Sequence, residues 1–193
     1  MALIERVVVK LLSVEEIKAE LDREYALLEP MLTGFRLIEK NTPDSAIKSA
    51  EKLISTNFPD GFRELIAKFD FGNLTIGPVV FCSSGDYLAE LVELNLNVMW
   101  WGGGQRPENI IMIGNSDPFA ILLNTDSGSV YAFDSETSWK KSKKISDDFF
   151  GFFSALGTVV LTRNQTLDRR KLAEEILEKI GAEDFEFWLR LAN

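Results

Sequence analysis

The side chains that carry most hydrolytic and transfer chemistry are thinly represented in this sequence. It contains one cysteine, Cys82, and no histidine. A cysteine nucleophile works as a thiolate beside a base, usually an imidazole. Cys82 ends the apolar run LTIGPVVFC with no such base to activate it, so it reads as a small buried hydrophobe. A Ser-His-Asp relay cannot be assembled without histidine, and no Ser-x-x-Lys feature stands out. One cysteine without histidine also argues against a zinc site. Carboxylates are plentiful, with 30 Asp and Glu. Asp117, Asp126, Asp134 and Glu136 fall near the ends of expected strands, where paired carboxylates could hydrolyse glycosides or hold Mg²⁺ or Ca²⁺. The Asp126-Ser127-Gly128 turn has only part of a calcium loop's ligand spacing and lacks its terminal Glu. So many acids place some near each other by chance. A carboxylate-based hydrolase therefore stays as an alternative, and no residue is assigned as catalytic, metal-binding or cofactor-binding.

Three other motifs bear on binding. Gly102-Gly103-Gly104 invites a phosphate-cradle reading, but a P-loop ends in Gly-Lys-Ser/Thr and a Rossmann turn opens a helix. Here Gln105-Arg106-Pro107 leads into a strand, so a flexible turn is expected. Trp100 and Trp101 are adjacent, and on a regular strand successive side chains point to opposite faces. One indole is then expected to be exposed, as in the anchors of protein interfaces, although both could be folded under a loop. Trp139-Lys140-Lys141-Ser142-Lys143-Lys144 is the one basic cluster, and a solvated loop is expected there rather than a nucleic-acid contact.

The elements that position these residues follow from periodicity. Ser13 and Glu16 form a capping-box pair ahead of Val14, Ile17, Leu21, Tyr25 and Leu28, predicting a helix to about residue 29. The segment LTGFRLIEK is a short strand or a connector. Thr42-Pro43 opens a second helix, with the Thr42 hydroxyl as cap and Ala46, Ile47, Ala50, Leu53 and Ile54 on its apolar face. Phe58-Pro59 opens a third, with Phe62, Leu65, Ile66 and Phe69 in register and Gly72 closing it. Gly77-Pro78 marks a turn or bulge in the next apolar segment, and Tyr87, Leu88 and Leu91 share one face of a helix between Ser84 and Asn95. Strands are predicted at about 109–114, 119–124 and 129–134, the last two joined by Asp126-Ser127-Gly128, whose residue types tolerate positive φ. After a polar loop, Ser146 caps a short helix bearing Phe149, Phe152, Phe153 and Leu156, and a brief apolar run TVVL follows. Thr166 opens one final helix, which Gly181 ends, and Phe185, Trp188 and Leu189 anchor another. Tight antiparallel connections with helices at both ends predict an α+β fold: a central, mostly antiparallel twisted sheet flanked by N- and C-terminal helices.

Bulk properties narrow the setting. The 193 residues, 46% hydrophobic and 26% charged, fit one globular domain with a sizeable core. The net charge of −9 repels nucleic acid phosphates and anionic lipid head groups and attracts basic partners. A single cysteine suggests a reducing compartment. The N-terminal apolar run is too short to span a membrane and makes a poor signal peptide, so a cytoplasmic protein with no membrane or nucleic-acid partner is expected.

The order of these motifs resembles the SUKH superfamily, which includes bacterial immunity proteins, fungal cell-wall synthesis regulators and Syd-like proteins. The resemblance runs from about Thr42 to Leu161. It takes in a first helix, the Phe58-Pro59…Phe62…Leu65 helix with its Gly-containing turn, the Ile113-Gly114-Asn115-Ser116 strand, the TDSGSVYAFD hairpin and the DDFFGFFS helix. Phe69-Asp70-Phe71-Gly72 departs from the Asn-Gly common in the family. The resemblance implies one SUKH-like domain over 1–193, with a core of about 42–161 and appended helices at 13–29 and 167–192. It implies a binding module without shared catalytic residues, often an immunity protein that blocks a toxin. In that reading an acidic, aromatic-bearing surface docks over the basic groove of a toxin domain, with Trp100, Trp101, Asp117, Asp126, Asp134 and Glu136 as partner-binding residues. A regulatory or scaffold protein of cell-envelope synthesis or secretion is the alternative within the binding class.

Overall fold

A computed structural model of the chain describes residues 9–165 and 168–193. The element order is α1 (Val14–Tyr25), α2 (Asp44–Ile54), α3 (Asp60–Lys68), β1 (Thr75–Ile76), β2 (Val79–Val80), α4 (Tyr87–Leu96), β3 (Ile110–Ser116), β4 (Phe119–Asn124), β5 (Val130–Asp134), β6 (Lys143–Ser146), α5 (Phe149–Thr162), α6 (Arg169–Lys179) and α7 (Phe185–Ala192). The six strands form one sheet in chain order, every neighbouring pair antiparallel. This is the α+β architecture expected from the sequence.

Alternation along β3 to β6 divides the sheet into two faces. Ile111, Ile113, Ile121, Leu123, Val130, Ala132 and Ile145 face the helices and join the main core. That core is aromatic at its centre: Phe62 meets Phe149 edge-on at 4.9 Å, and Phe71 lies 5.0 Å from Phe81 and 6.1 Å from Phe153. The same apolar cluster takes in Ile17 and Leu21 of α1 and Phe187, Trp188 and Leu191 of α7. Gly157 permits the closest of these contacts, since a Cβ there would fall 2.4 Å from Ile17. Met112, Ala120, Leu122 and Phe133 face the other way and form a smaller cluster under Trp101.

The free edge of β3 is closed by side chains rather than by another strand. β2 pairs with β3 only at Val80 and Asn115, leaving the other half of β3 unpaired on that side. The buried Asn95 of α4 accepts from Met112 N and donates to Met112 O, both at 2.8 Å, and Tyr87 Oη donates to Ile113 O at 2.9 Å. The amide thus supplies the paired donor and acceptor that a strand would supply, and an exposed edge is avoided.

Several local expectations need correction. α2 begins after Pro43 with no side-chain cap, so Thr42 does not cap it. Leu53 is 60% exposed, while Glu51 on the inner face takes Arg63 Nη1 at 2.5 Å and Phe58 N at 2.9 Å. α3 stops at Lys68, and Gly72 lies in the turn beyond. β3 continues to Ser116 through a bulge between Met112 and Gly114. The polar stretch after β5 is a 3₁₀ turn, Trp139–Lys141, followed by β6, in which Ile145 alternates inward between polar neighbours. Asp148, not Ser146, caps α5 by accepting from Gly151 N at 2.7 Å; Ser146 ends β6 and donates to Asp148 O. The TVVL run is the last turn of α5, because nothing in that apolar stretch breaks the helix. Thr166 lies outside the described residues, and the cap observed for α6 is Asp168. On α7 the buried anchors are Phe187, Trp188 and Leu191, while Phe185 and Leu189 are half-buried.

Candidate protein-binding surface

The outer face of the sheet is covered by short segments instead of long helices. At the end of α4, Asn97 Oδ1 accepts from Met99 N at 3.0 Å and starts the 3₁₀ turn Val98–Trp101. Gly102 N donates to Met99 O, Gly103 N to Val98 O and Gly104 N to Trp101 O, closing that turn. These amides are consumed by the turn, so the glycine triplet does not cradle phosphate. Arg106 then fastens the loop: its guanidinium donates to the carbonyls of Pro107, Glu108, Ile110 and Ile54.

The two adjacent tryptophans separate in this turn. Trp101 is 4% exposed, packs in the outer cluster and meets Trp139 edge-on at 6.2 Å. Its Nε1 has no hydrogen-bond partner among the described residues. Trp100 is 40% exposed, and the 3₁₀ turn rather than strand alternation sets the two indoles apart. Leu96, Val98 and Met99 beside it are also exposed. Trp100 borders two cavities. One, about 200 Å³, is lined also by Leu94, Asp117, Phe119 and Ser135. The other, about 630 Å³, is lined by Ser83, Asp86, Glu90, Glu93 and Asn97.

The carboxylates singled out by sequence do not form one cluster. Asp117 is exposed in the β3–β4 turn, and β4 brings Phe119 opposite Asp134, so Asp117, Asp134 and Glu136 share one end of the sheet. Asp134 is half-buried and accepts from Glu136 N at 2.9 Å, which ties it to the turn after β5. Asp126 lies at the opposite end, in the β4–β5 turn. There Asn124 Oδ1 accepts from Asp126 N and Ser127 N, and Gly128 supplies φ +80°. Among the described residues no group of three or more Cys, Asp or Glu side chains could hold a metal ion.

Sequence reasoning missed Asp86, Glu90 and Glu93, which line the larger cavity from α4. Local charge balance would have found them. From Asp86 to Glu136 the sequence has eight acidic residues and one basic residue, Arg106. None of those eight carboxylates forms an ion pair among the described residues, whereas several carboxylates elsewhere do: Asp22 and Glu29 with Arg36, Glu51 and Asp44 with Arg63, Asp147 and Glu183 with Lys144. The surface around Trp100 thus joins exposed apolar side chains to uncompensated negative charge.

Cys82 is buried and donates to Glu90 Oε2 at 3.0 Å. Burial pushes its thiol pKa up, and the Glu90 carboxylate adds to the effect, which is the opposite of an activated nucleophile. Burial also acts to raise Glu90, but hydrogen bonds from Cys82, Ser84 and the Ser83 and Ser84 amides outweigh it and hold the carboxyl below its ordinary value. In the basic cluster, Lys144 is ion-paired and Lys143 lies 3.9 Å from Asp184, so the four lysines are not a free strip.

The family model described as SMI1-KNR4 cell-wall matches residues 44–153, more than half of the chain. That span contains α2 to β6 and the start of α5, including Trp100, Trp101 and the eight carboxylates from Asp86 to Glu136. No curated protein sequence matches the chain. Among the described residues no helix is long and apolar enough to cross a membrane.

Proposed function

The chain belongs to the SMI1-KNR4 family of the SUKH superfamily, generally non-catalytic protein-binding modules, and from that premise we propose that it is an immunity protein. It neutralises a cognate toxin of a bacterial polymorphic toxin system in the cytoplasm, by occluding the toxin's active site. The observation that carries this reading is the exposed Trp100, with Leu96, Val98 and Met99, beside carboxylates that have no cationic partner among the described residues. A basic toxin groove is attracted by that charge, which raises the association rate, while burial of Trp100 and Met99 slows dissociation. Trp100 is the anchor, and Asp117, Glu136, Asp86 and Glu93 meet basic residues around it. Trp101 supports the anchor from beneath, and Asp134 holds the turn that presents Glu136. Asp126 engages a partner wide enough to span the sheet. The chain acts as one domain over 1–193, a reading supported by the apolar cluster shared by α1, α7 and the sheet.

Co-expression with a candidate toxin domain is the direct test. Growth is rescued by the wild type and not by Trp100→Ala; failure of the wild type to rescue overturns the immunity reading. The cell-wall description of the matched family favours one other reading, a regulatory or scaffold protein of cell-envelope synthesis or secretion. The two differ in salt dependence, because an interface that mimics a phosphate backbone weakens steeply as salt rises.

A further inference from the structure

We propose that the cavity between the β3–β4 turn and the ends of α5 and α7 binds a small oxyanion carried on an apolar body, such as an aromatic or aliphatic carboxylate. This goes beyond the protein-binding reading and concerns the opposite side of Asp117 from Trp100. The cavity has a volume of about 230 Å³ and is lined by Ser116, Asp117, Phe119, Arg163, Phe187 and Arg190 among others. Two observations converge on it. Arg163 and Arg190 have no carboxylate or hydrogen-bond partner among the described residues, in a chain where acids outnumber bases 30 to 21. Ser116 lines the cavity beside them and is itself 4% exposed.

The chemistry of these groups defines the ligand. Two guanidinium groups and a hydroxyl are donors suited to the oxygens of one carboxylate or phosphate. The floor beneath them is aromatic: Arg190 Cζ lies 5.7 Å from the centre of the Phe119 ring, which meets Phe187 edge-on at 5.5 Å. That floor favours an anion with an apolar group attached over a bare inorganic ion. Asp117 lines the same cavity and forms no ion pair with either arginine among the described residues, so its charge opposes the anion. It therefore sets a limit on affinity and supplies a test with the opposite sign.

The experiment is calorimetric titration of the isolated full chain with benzoate, inorganic phosphate and the neutral isostere benzamide, with amide NMR shifts to locate the site. Benzoate is expected to bind saturably and shift Ser116 and Arg190, more tightly than phosphate, with no binding of benzamide. Arg163→Gln and Arg190→Gln each weaken benzoate about tenfold, and Asp117→Asn strengthens it, each variant retaining the wild-type circular dichroism spectrum. Absence of saturable benzoate binding, or binding unchanged in the Arg163→Gln/Arg190→Gln double variant, overturns the site. Phosphate binding as tight as benzoate overturns the apolar ligand class. Because no protein partner is present, failure here leaves the toxin-binding reading to its own test.

Discussion

Two tryptophans on opposite faces of one sheet show how differently those faces are used. Trp188, on the helix-covered side, is fully buried against Phe152 and Phe187 and donates to Ile145 O at 3.0 Å. Trp101, on the outer side, is nearly as buried, yet its N–H finds no acceptor among the described residues and it roofs a cluster of only four other buried residues. The inner face gathers apolar side chains from α1 to α7, and ion pairs such as Arg36–Asp22 and Arg63–Glu51 flank it. The outer face has a thin cover, exposed apolar side chains and carboxylates without cationic partners among the described residues. In the proposed reading stability resides in the first and the capacity to bind in the second, because a surface kept for a partner cannot also satisfy itself.

Substitutions can break that contrast. The largest effect is expected on the inner face: Phe153→Ala costs about 3–5 kcal/mol of unfolding free energy, measured by chemical denaturation. Asn95→Ala comes next, at about 2–4 kcal/mol, because Met112 N–H and C=O lose their buried partner together. Trp100→Ala is expected to leave stability within about 0.5 kcal/mol while weakening a toxin partner about a hundredfold, a loss typical of an aromatic anchor. Glu90→Gln gives a smaller, pH-dependent effect. The folded-state pKa of Glu90 lies below its ordinary value, so its carboxylate stabilises at neutral pH and that contribution fades as pH falls through the carboxylate range. The variant is therefore less stable than wild type near neutrality, and the two converge in acid, as thermal melts across pH will show. Smallest of all, Trp101→Phe changes stability by less than about 1 kcal/mol, since the indole N–H has no hydrogen bond to lose.

The same division explains what could be read from the sequence. Inner-face periodicity is strong, so α1, α3, α4 and the β3–β5 strands were legible from Ile17, Phe62, Leu91, Ile121 and Ala132 and their neighbours. The Asp126-Ser127-Gly128 turn was legible for a local reason, positive φ. Caps were misplaced where tertiary contacts decide them, as at Thr42 and at Ser146, which ends β6 as Asp148 takes the cap. The lysine-rich stretch looked like a loop because an edge strand needs only one inward residue, here Ile145. At the candidate surface, the separation of Trp100 from Trp101 was anticipated on the wrong geometry, a strand instead of a 3₁₀ turn. Asp126 was grouped with Asp117 and Asp134 because residue type and strand ends do not say which end of a hairpin a side chain occupies. Asp86, Glu90 and Glu93 were overlooked because they sit on a helix next to the sheet, and only folding brings them beside Trp100.

The central claim is that the outer face around Trp100 holds the partner while the inner face holds the fold. It is tested most directly by measuring, in parallel, the toxin affinity and the unfolding free energy of Trp100→Ala. The predicted result is wild-type stability with affinity reduced about a hundredfold. Wild-type affinity in that folded variant would contradict the account, and would place the interface elsewhere on the molecule.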